Sequence, residues 1–213
     1  MVITSTMSFA QLRADFGMKA GWNVTGLELN SGGKLVGLTY NNRSGYHIGG
    51  YASFRFKKFA VQPELIYSRQ GQNFTTPNYS NLNSDLKYIN IPVIIKYYLV
   101  GGLNLQVGPQ FGFLASAKGD LMQVDNAGNI SATTRGQDLK SYLKGTDLSI
   151  GIGAGIDIHR VNLTIRYNIG VSDINTHSGS SYPNGVQPSF STAKTQNQVV
   201  QFSVGYRFYK IGK

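Results

Sequence analysis

The side chains able to do chemistry in this chain are few and scattered. It has no cysteine and three histidines, His47, His159 and His177. Thiolate nucleophiles, disulfides and cysteine-held metals are therefore excluded. A hydrolytic centre would need one of those histidines beside Ser or Asp. His177 has Asp173 and several serines close in sequence, but a serine-rich loop brings such residues together by composition alone. His159 falls in a short turn, and His47 near the end of a strand. No ligand spacing suggests a metal, and no Gly-Lys phosphate motif is present. Gly151-Ile152-Gly153-Ala154-Gly155 precedes no helical pattern, so it is not a nucleotide loop. We expect no catalytic residue, no cofactor and no metal.

A second set of polar residues follows a rule. Arg13, Asp15, Lys19, Arg55, Glu64, Lys96, Asp157, Arg166 and Arg207 all stand in segments where apolar and polar residues alternate. In the first, Leu12, Ala14, Phe16, Met18, Ala20, Trp22 and Val24 oppose Arg13, Asp15, Gly17, Lys19, Gly21 and Asn23. Period two is the signature of a strand with one apolar face. Seven more segments repeat it at about 46–56, 59–68, 88–99, 103–113, 147–158, 161–171 and 200–208. Short connections follow the second, fourth and sixth (Lys57-Lys58, Val100-Gly101-Gly102, His159-Arg160). The others, 26–44, 70–86, 116–145 and 173–196, are long and rich in Asn, Ser, Thr and Gly.

The short turns test the register. Two-residue turns would pair Phe56 with Phe59 and Ile158 with Val161, apolar on apolar. The odd-length middle turn restores the parity of Leu99 and Leu103. A one-residue slip would turn a strand's faces over. Lys-Lys and His-Arg are not favoured two-residue turn pairs, and four-residue turns would keep the same parity.

Which face points inward separates a soluble lipid carrier of lipocalin type from a membrane barrel. Five or six large apolar side chains per strand would overfill an eight-stranded interior. The glycines on the polar face instead make room for long neighbours such as Arg55, Lys96 and Arg166. Segments of this length fit a tilted crossing, and short turns at one end with long loops at the other match outer-membrane barrels. The prediction is an all-β fold: an eight-stranded antiparallel up-and-down transmembrane β-barrel with short periplasmic turns and long external loops. Trp22, Tyr46, Phe56, Phe59, Tyr67, Tyr97, Phe113 and Phe208 would form its two aromatic girdles. Pro63, Pro92 and Pro109, which lack a ladder donor, predict bulges or unpaired stretches.

Composition agrees. Charged residues are 14%, against about 25% in ordinary soluble domains. No run of 18 apolar residues suggests a membrane helix. The small residues Ser8 and Ala10 resemble a secretory cleavage site, so residues 1–10 read as a signal-peptide remnant and 11–213 as the barrel. The formal charge of +10 points to anionic partners. Its bases form no cluster of the kind nucleic acid requires. Arg43, Arg69, Lys87, Lys118 and Lys144 near the outer rim suit the phosphates of lipopolysaccharide.

Several short motifs carry a resemblance: Phe16-Gly17-Met18-Lys19-Ala20-Gly21, Val61-Gln62-Pro63-Glu64-Leu65-Ile66-Tyr67, Tyr88-Ile89-Asn90-Ile91-Pro92, Val107-Gly108-Pro109-Gln110-Phe111-Gly112 and Val204-Gly205-Tyr206-Arg207-Phe208. In this order the chain resembles the small outer-membrane β-barrel family of Bacteroidetes-type bacteria that includes PorT-like proteins. Asn90 stands where that family often has an acid. The resemblance implies fold and outer-membrane location more than activity.

The functional expectation is a structural or surface-interacting barrel, not an enzyme. External loops would contact outer-membrane lipid or a protein partner. The nine charged residues above would interlock in the lumen around Glu64, with Arg55 on one neighbouring strand and Lys96 on the other. A narrow pore for small solutes and a barrel enzyme acting on outer-leaflet lipid are the alternatives.

Overall fold

The computed structural model describes residues 12–29, 39–75, 82–124, 130–174, 186–188 and 195–212. Its strands are β1 (Arg13–Leu29), β2 (Thr39–Phe56), β3 (Phe59–Thr75), β4 (Leu82–Tyr98), β5 (Leu103–Val124), β6 (Ile130–Asp138), β7 (Thr146–Ile158), β8 (Val161–Gly170), β9 (Val186–Pro188) and β10 (Thr195–Ile211). Eight of them close a ring in the order β1-β2-β3-β4-β5-β7-β8-β10, every neighbour antiparallel. Closure leaves no strand edge in the wall, which lipid requires because it offers no hydrogen bonds. The signal-peptide reading of residues 1–10 lies outside the described residues.

The parity argument holds in detail. Phe56 pairs with Phe59 and Phe54 with Val61; Ile158 pairs with Val161 and Ile156 with Leu163. Both turns have two residues, and the first of each, Lys57 and His159, takes a left-handed φ of 52°. At the middle turn Gly101 and Gly102 supply the positive φ, and the Leu99 N–H donates to the Leu103 carbonyl at 2.7 Å.

The apolar face points outward. Trp22, Met18, Leu65, Leu105, Ile152 and Val204 are all more than half exposed, while Lys19, Glu64, Lys96 and Arg166 are buried. That inverts a lipocalin. Tyr46 and Phe56 bracket the wall on β2. Ten residues at ~3.3 Å each, tilted by ~40°, rise about 25 Å, the height of an outer-membrane apolar band. Phe59 and Tyr97 meet at 5.0 Å near the short-turn end, and Tyr46 and Tyr67 at 6.3 Å near the other.

Each proline interrupts pairing without changing register. β2–β3 pairs stop at Tyr51/Glu64 and resume at Phe54/Val61, beside Pro63. β3–β4 pairs skip from Pro63/Val93 to Ile66/Asn90, beside Pro92. β4–β5 pairs skip from Pro92/Gln110 to Ile95/Val107, beside Pro109. Within the eight-stranded ring the register shifts lie elsewhere, at Phe16/Gly17, Asn42/His47 and Lys87/Tyr88.

The long loops differ from expectation. The strands run on past the outer girdle, and β6 and β9 arise within the segments 116–145 and 173–196 that sequence assigned to loops. Both pair with the overhanging end of β5. Beyond the membrane no lipid demands an apolar face, so alternation fades while backbone pairing continues. A 3-10 turn (Lys140–Tyr142) follows β6. Leu139, Leu143 and Ile174 are buried around it, and the Lys144 N–H donates to the Ile174 carbonyl at 2.8 Å.

Candidate functional site in the barrel lumen

The inward residues form three layers. The middle one is a brace across the lumen. Glu64 on β3 accepts from Arg166 on β8 through two bonds, Nη2 to Oε1 at 2.9 Å and Nη1 to Oε2 at 3.1 Å. Lys19 on β1 reaches the same carboxylate at 3.3 Å, and Gln62 donates to it at 2.7 Å. Arg166 also donates to the Gln106 Oε1 on β5 at 3.0 Å. Lys19, Glu64, Gln106 and Arg166 thus come from every second strand of the ring. Their charged side chains are buried: Glu64 is 1% exposed, Arg166 2% and Lys19 4%. Gly151 makes this possible, because a Cβ there would lie 2.9 Å from the Arg166 Cδ.

The predicted neighbours of Glu64 need correction. Arg55 and Lys96 do not reach it. Both stand nearer the short-turn end, where Lys96 lies 3.9 Å from Asp157 and Arg55 lies over the Tyr98 ring, 3.7 Å from its centroid. Strand adjacency is not enough for an ion pair; the two side chains must also share a level along the barrel axis.

The outer layer is built on imidazole, amide and hydroxyl side chains. His47 Nδ1 lies 2.7 Å from the Asn23 Oδ1, and Nε2 lies 2.8 Å from the Ser203 Oγ. The Asn23 amide nitrogen donates to Ser68 Oγ and to the Tyr46 and Arg69 carbonyls. That fixes Oδ1 as its acceptor, so Nδ1 of His47 carries the proton and Nε2 accepts from Ser203. Gln70 continues the chain to Ser68 at 3.0 Å and also pairs with Asn197. Ser203, His47 and Asn23 have the order of a hydrolytic triad, but all three are buried. The backbone of Ser203 is paired on both sides, with Gly21 and Thr164.

The inner layer lies at the periplasmic mouth. Arg13 bonds Asp15 at 2.8 and 2.9 Å, and Arg207 approaches the same carboxylate at 3.6 Å. Tyr98 donates to Asp157 at 2.7 Å. Asn162 donates to the Tyr51 hydroxyl at 2.8 Å, tying β8 to β2. Tyr51 and Tyr98 were not singled out from sequence, although each shares the parity of an inward charge, Arg55 and Lys96 respectively. His159 is an exposed turn residue, and His177 lies outside the described residues. Among the described residues no group of three His, Asp or Glu side chains converges as a metal site would require.

At the outer rim Arg69 is held by Asp85, Nη2 to Oδ2 at 2.7 Å. Lys118 and Lys144 are exposed, as are Arg135 and Lys140. The side chain of Arg43 lies outside the described residues.

An apolar outer wall closed around a polar, braced lumen defines an integral β-barrel of the Gram-negative outer membrane. The chain belongs to the outer membrane protein β-barrel domain family, which its residues 9–175 match. Its fold is similar to the crystal structure of neisserial surface protein A, at 14% identity and a TM-score of 0.51, covering 92% of this chain and 99% of that one. Ail, the attachment invasion locus protein of Yersinia pestis, solved with the heparin analogue sucrose octasulfate, is similar at 14% identity and a TM-score of 0.46, over 93% and 99%. At such identities the likeness is one of fold. Among curated proteins, none is significantly similar in sequence.

Proposed function

We propose that this barrel is a structural, surface-interacting protein that neither conducts solutes nor catalyses a reaction. The observation that carries this reading is the brace of Lys19, Glu64, Gln106 and Arg166, which ties alternate strands at one level of an already narrow lumen. Buried ions persist when they are paired and hydrogen-bonded, and here the pairing fills the path a solute would take. Interaction then falls to the external end, where β6 and β9 extend the sheet on the overhang of β5. Lys118, Arg135, Lys140 and Lys144 there suit lipopolysaccharide phosphates; Arg69, neutralised by Asp85, contributes less than its sequence position suggested. External loops are the place for a protein partner. The motif order favours a place among Bacteroidetes-type barrels that include PorT-like proteins, without a secretion role being taken from that grouping.

The test is planar-bilayer conductance of the refolded wild-type barrel. The expected result is no stepwise current. Discrete steps that change on substitution of Glu64 would establish the pore instead.

A further inference from the structure

Three guanidinium groups meet at the periplasmic mouth. Arg13 and Arg55 stand directly opposite each other across β1 and β2, a like-charged placement that destabilises a sheet. The register shift at Phe16/Gly17 sets Arg207 of β10 opposite Gly17. With Gly102, Asp157 and His159 these arginines line a cavity of about 260 Å³. Side chains of Arg13 and Arg207 remain 21% and 19% exposed, so the cavity communicates with solvent.

Two carboxylates stand at or beside it, and both face cations. Asp15 serves both Arg13 and Arg207. Asp157 takes the Tyr98 hydroxyl on Oδ2, while its Oδ1 accepts no hydrogen bond and faces Lys96 at 3.9 Å. Arg55 donates through Nε to the Lys57 carbonyl at 3.1 Å and has no carboxylate partner among the described residues. The rim adds Lys57, Lys58, Arg160 and Lys210, all exposed. With the three arginines and Lys96 they oppose only Asp15 and Asp157 among the described residues, so this end carries an excess of positive charge.

We propose that this mouth binds a phosphate-type oxyanion, held by Arg13, Arg55 and Arg207. A tetrahedral oxyanion accepts from several guanidinium forks at once and relieves the Arg13–Arg55 opposition. Its source is either free phosphate in the periplasm or the headgroup of an inner-leaflet phospholipid.

Calorimetric titration with inorganic phosphate, in a neutral phosphate-free detergent, tests the first source. Wild type should bind at least ~10-fold more tightly than Arg55→Gln, a difference of ~1.4 kcal/mol. Gln137→Ala, at an exposed neutral position of the outer end, should match wild type. The cold-versus-boiled gel shift confirms closure of each variant, and Arg55→Lys, which keeps the charge but loses the fork, replaces Arg55→Gln if the latter does not close. Should micelles show no phosphate binding, nanodiscs containing phosphatidylglycerol test the second source: preferential retention of that lipid by wild type over the Arg55 variant identifies the headgroup. Equal binding by wild type and the variant, or none in either setting, overturns the proposal.

Discussion

The middle of the lumen and its periplasmic mouth are built from the same residue types on the same inward faces, and they behave differently. On β1, Lys19 and Arg13 are both inward cations. Lys19 shares with Arg166 a carboxylate that Gln62 also contacts. Arg13 shares Asp15 with Arg207 and faces Arg55 across the sheet. In the middle the charged side chains are buried, so an ion pair must be complete for the layer to exist. At the mouth solvent screens the charges, and an excess of cations is tolerated. Depth decides whether a charge is structural or available.

The sharpest way to break that comparison is Glu64→Gln. It leaves Lys19 and Arg166 buried without a carboxylate, and removing one partner of a buried ion pair costs about 3–5 kcal/mol. Urea unfolding in vesicles, read by the cold-versus-boiled gel shift, should show a loss of this size or failure to close. Replacing Lys19 and Arg166 by methionine in the same chain should recover part of it, because the uncompensated charges are then gone. A Glu64→Gln barrel as stable as wild type would mean that water reaches the middle layer, and the lumen would no longer count as sealed.

The wall was legible in the sequence because lipid enforces a strict rule. Every outward residue between the girdles must be apolar, so period two survives in all eight segments and the turns check the register. The site was legible only as a parity class. Arg13, Asp15, Lys19, Arg55, Glu64, Lys96, Asp157, Arg166 and Arg207 could be assigned to the inward face, but their partners depend on strand stagger. That is why Glu64 meets Arg166 across the lumen while Arg55, on the adjoining strand, does not reach it. β6 and β9 were missed because above the membrane both faces meet water and the alternation ends. The Ser203–His47–Asn23 chain was missed because its members lie on β10, β2 and β1, more than 150 residues apart at the extremes.

That chain gives the next prediction, intermediate in size. His47→Ala leaves the Asn23 Oδ1 and the Ser203 hydroxyl without the imidazole, both in a buried layer. An unsatisfied buried polar group costs about 1–3 kcal/mol, so the variant should unfold at lower urea than wild type yet still close. A fluorophosphonate probe should leave Ser203 of the wild type unmodified, since its burial and paired backbone offer neither access nor oxyanion donors. Labelling of Ser203 that disappears in His47→Ala would convert a structural hydrogen-bond chain into a nucleophile and revive the enzyme reading.

The smallest expected effect is that of Arg55→Gln on stability. The substitution loses the packing of the guanidinium on Tyr98, worth about 0.5–2 kcal/mol. It also removes the opposition to Arg13, a cross-strand term of about 0.2–1 kcal/mol in the other direction. The net change should lie within about 1 kcal/mol of wild type, well below the cost at Glu64. Salt separates the two layers further. Raising ionic strength screens the exposed Arg13–Arg55 opposition, which shifts the difference between wild type and Arg55→Gln in favour of wild type, whereas the deficit of Glu64→Gln should hardly move because buried pairs are screened much less. Phosphate at constant ionic strength gives the last discrimination. A ligand that binds only the folded state stabilises it by mass action, so phosphate should raise the unfolding midpoint of wild type and not that of Arg55→Gln. If phosphate and chloride act alike on both chains, the mouth is a screened surface and nothing more.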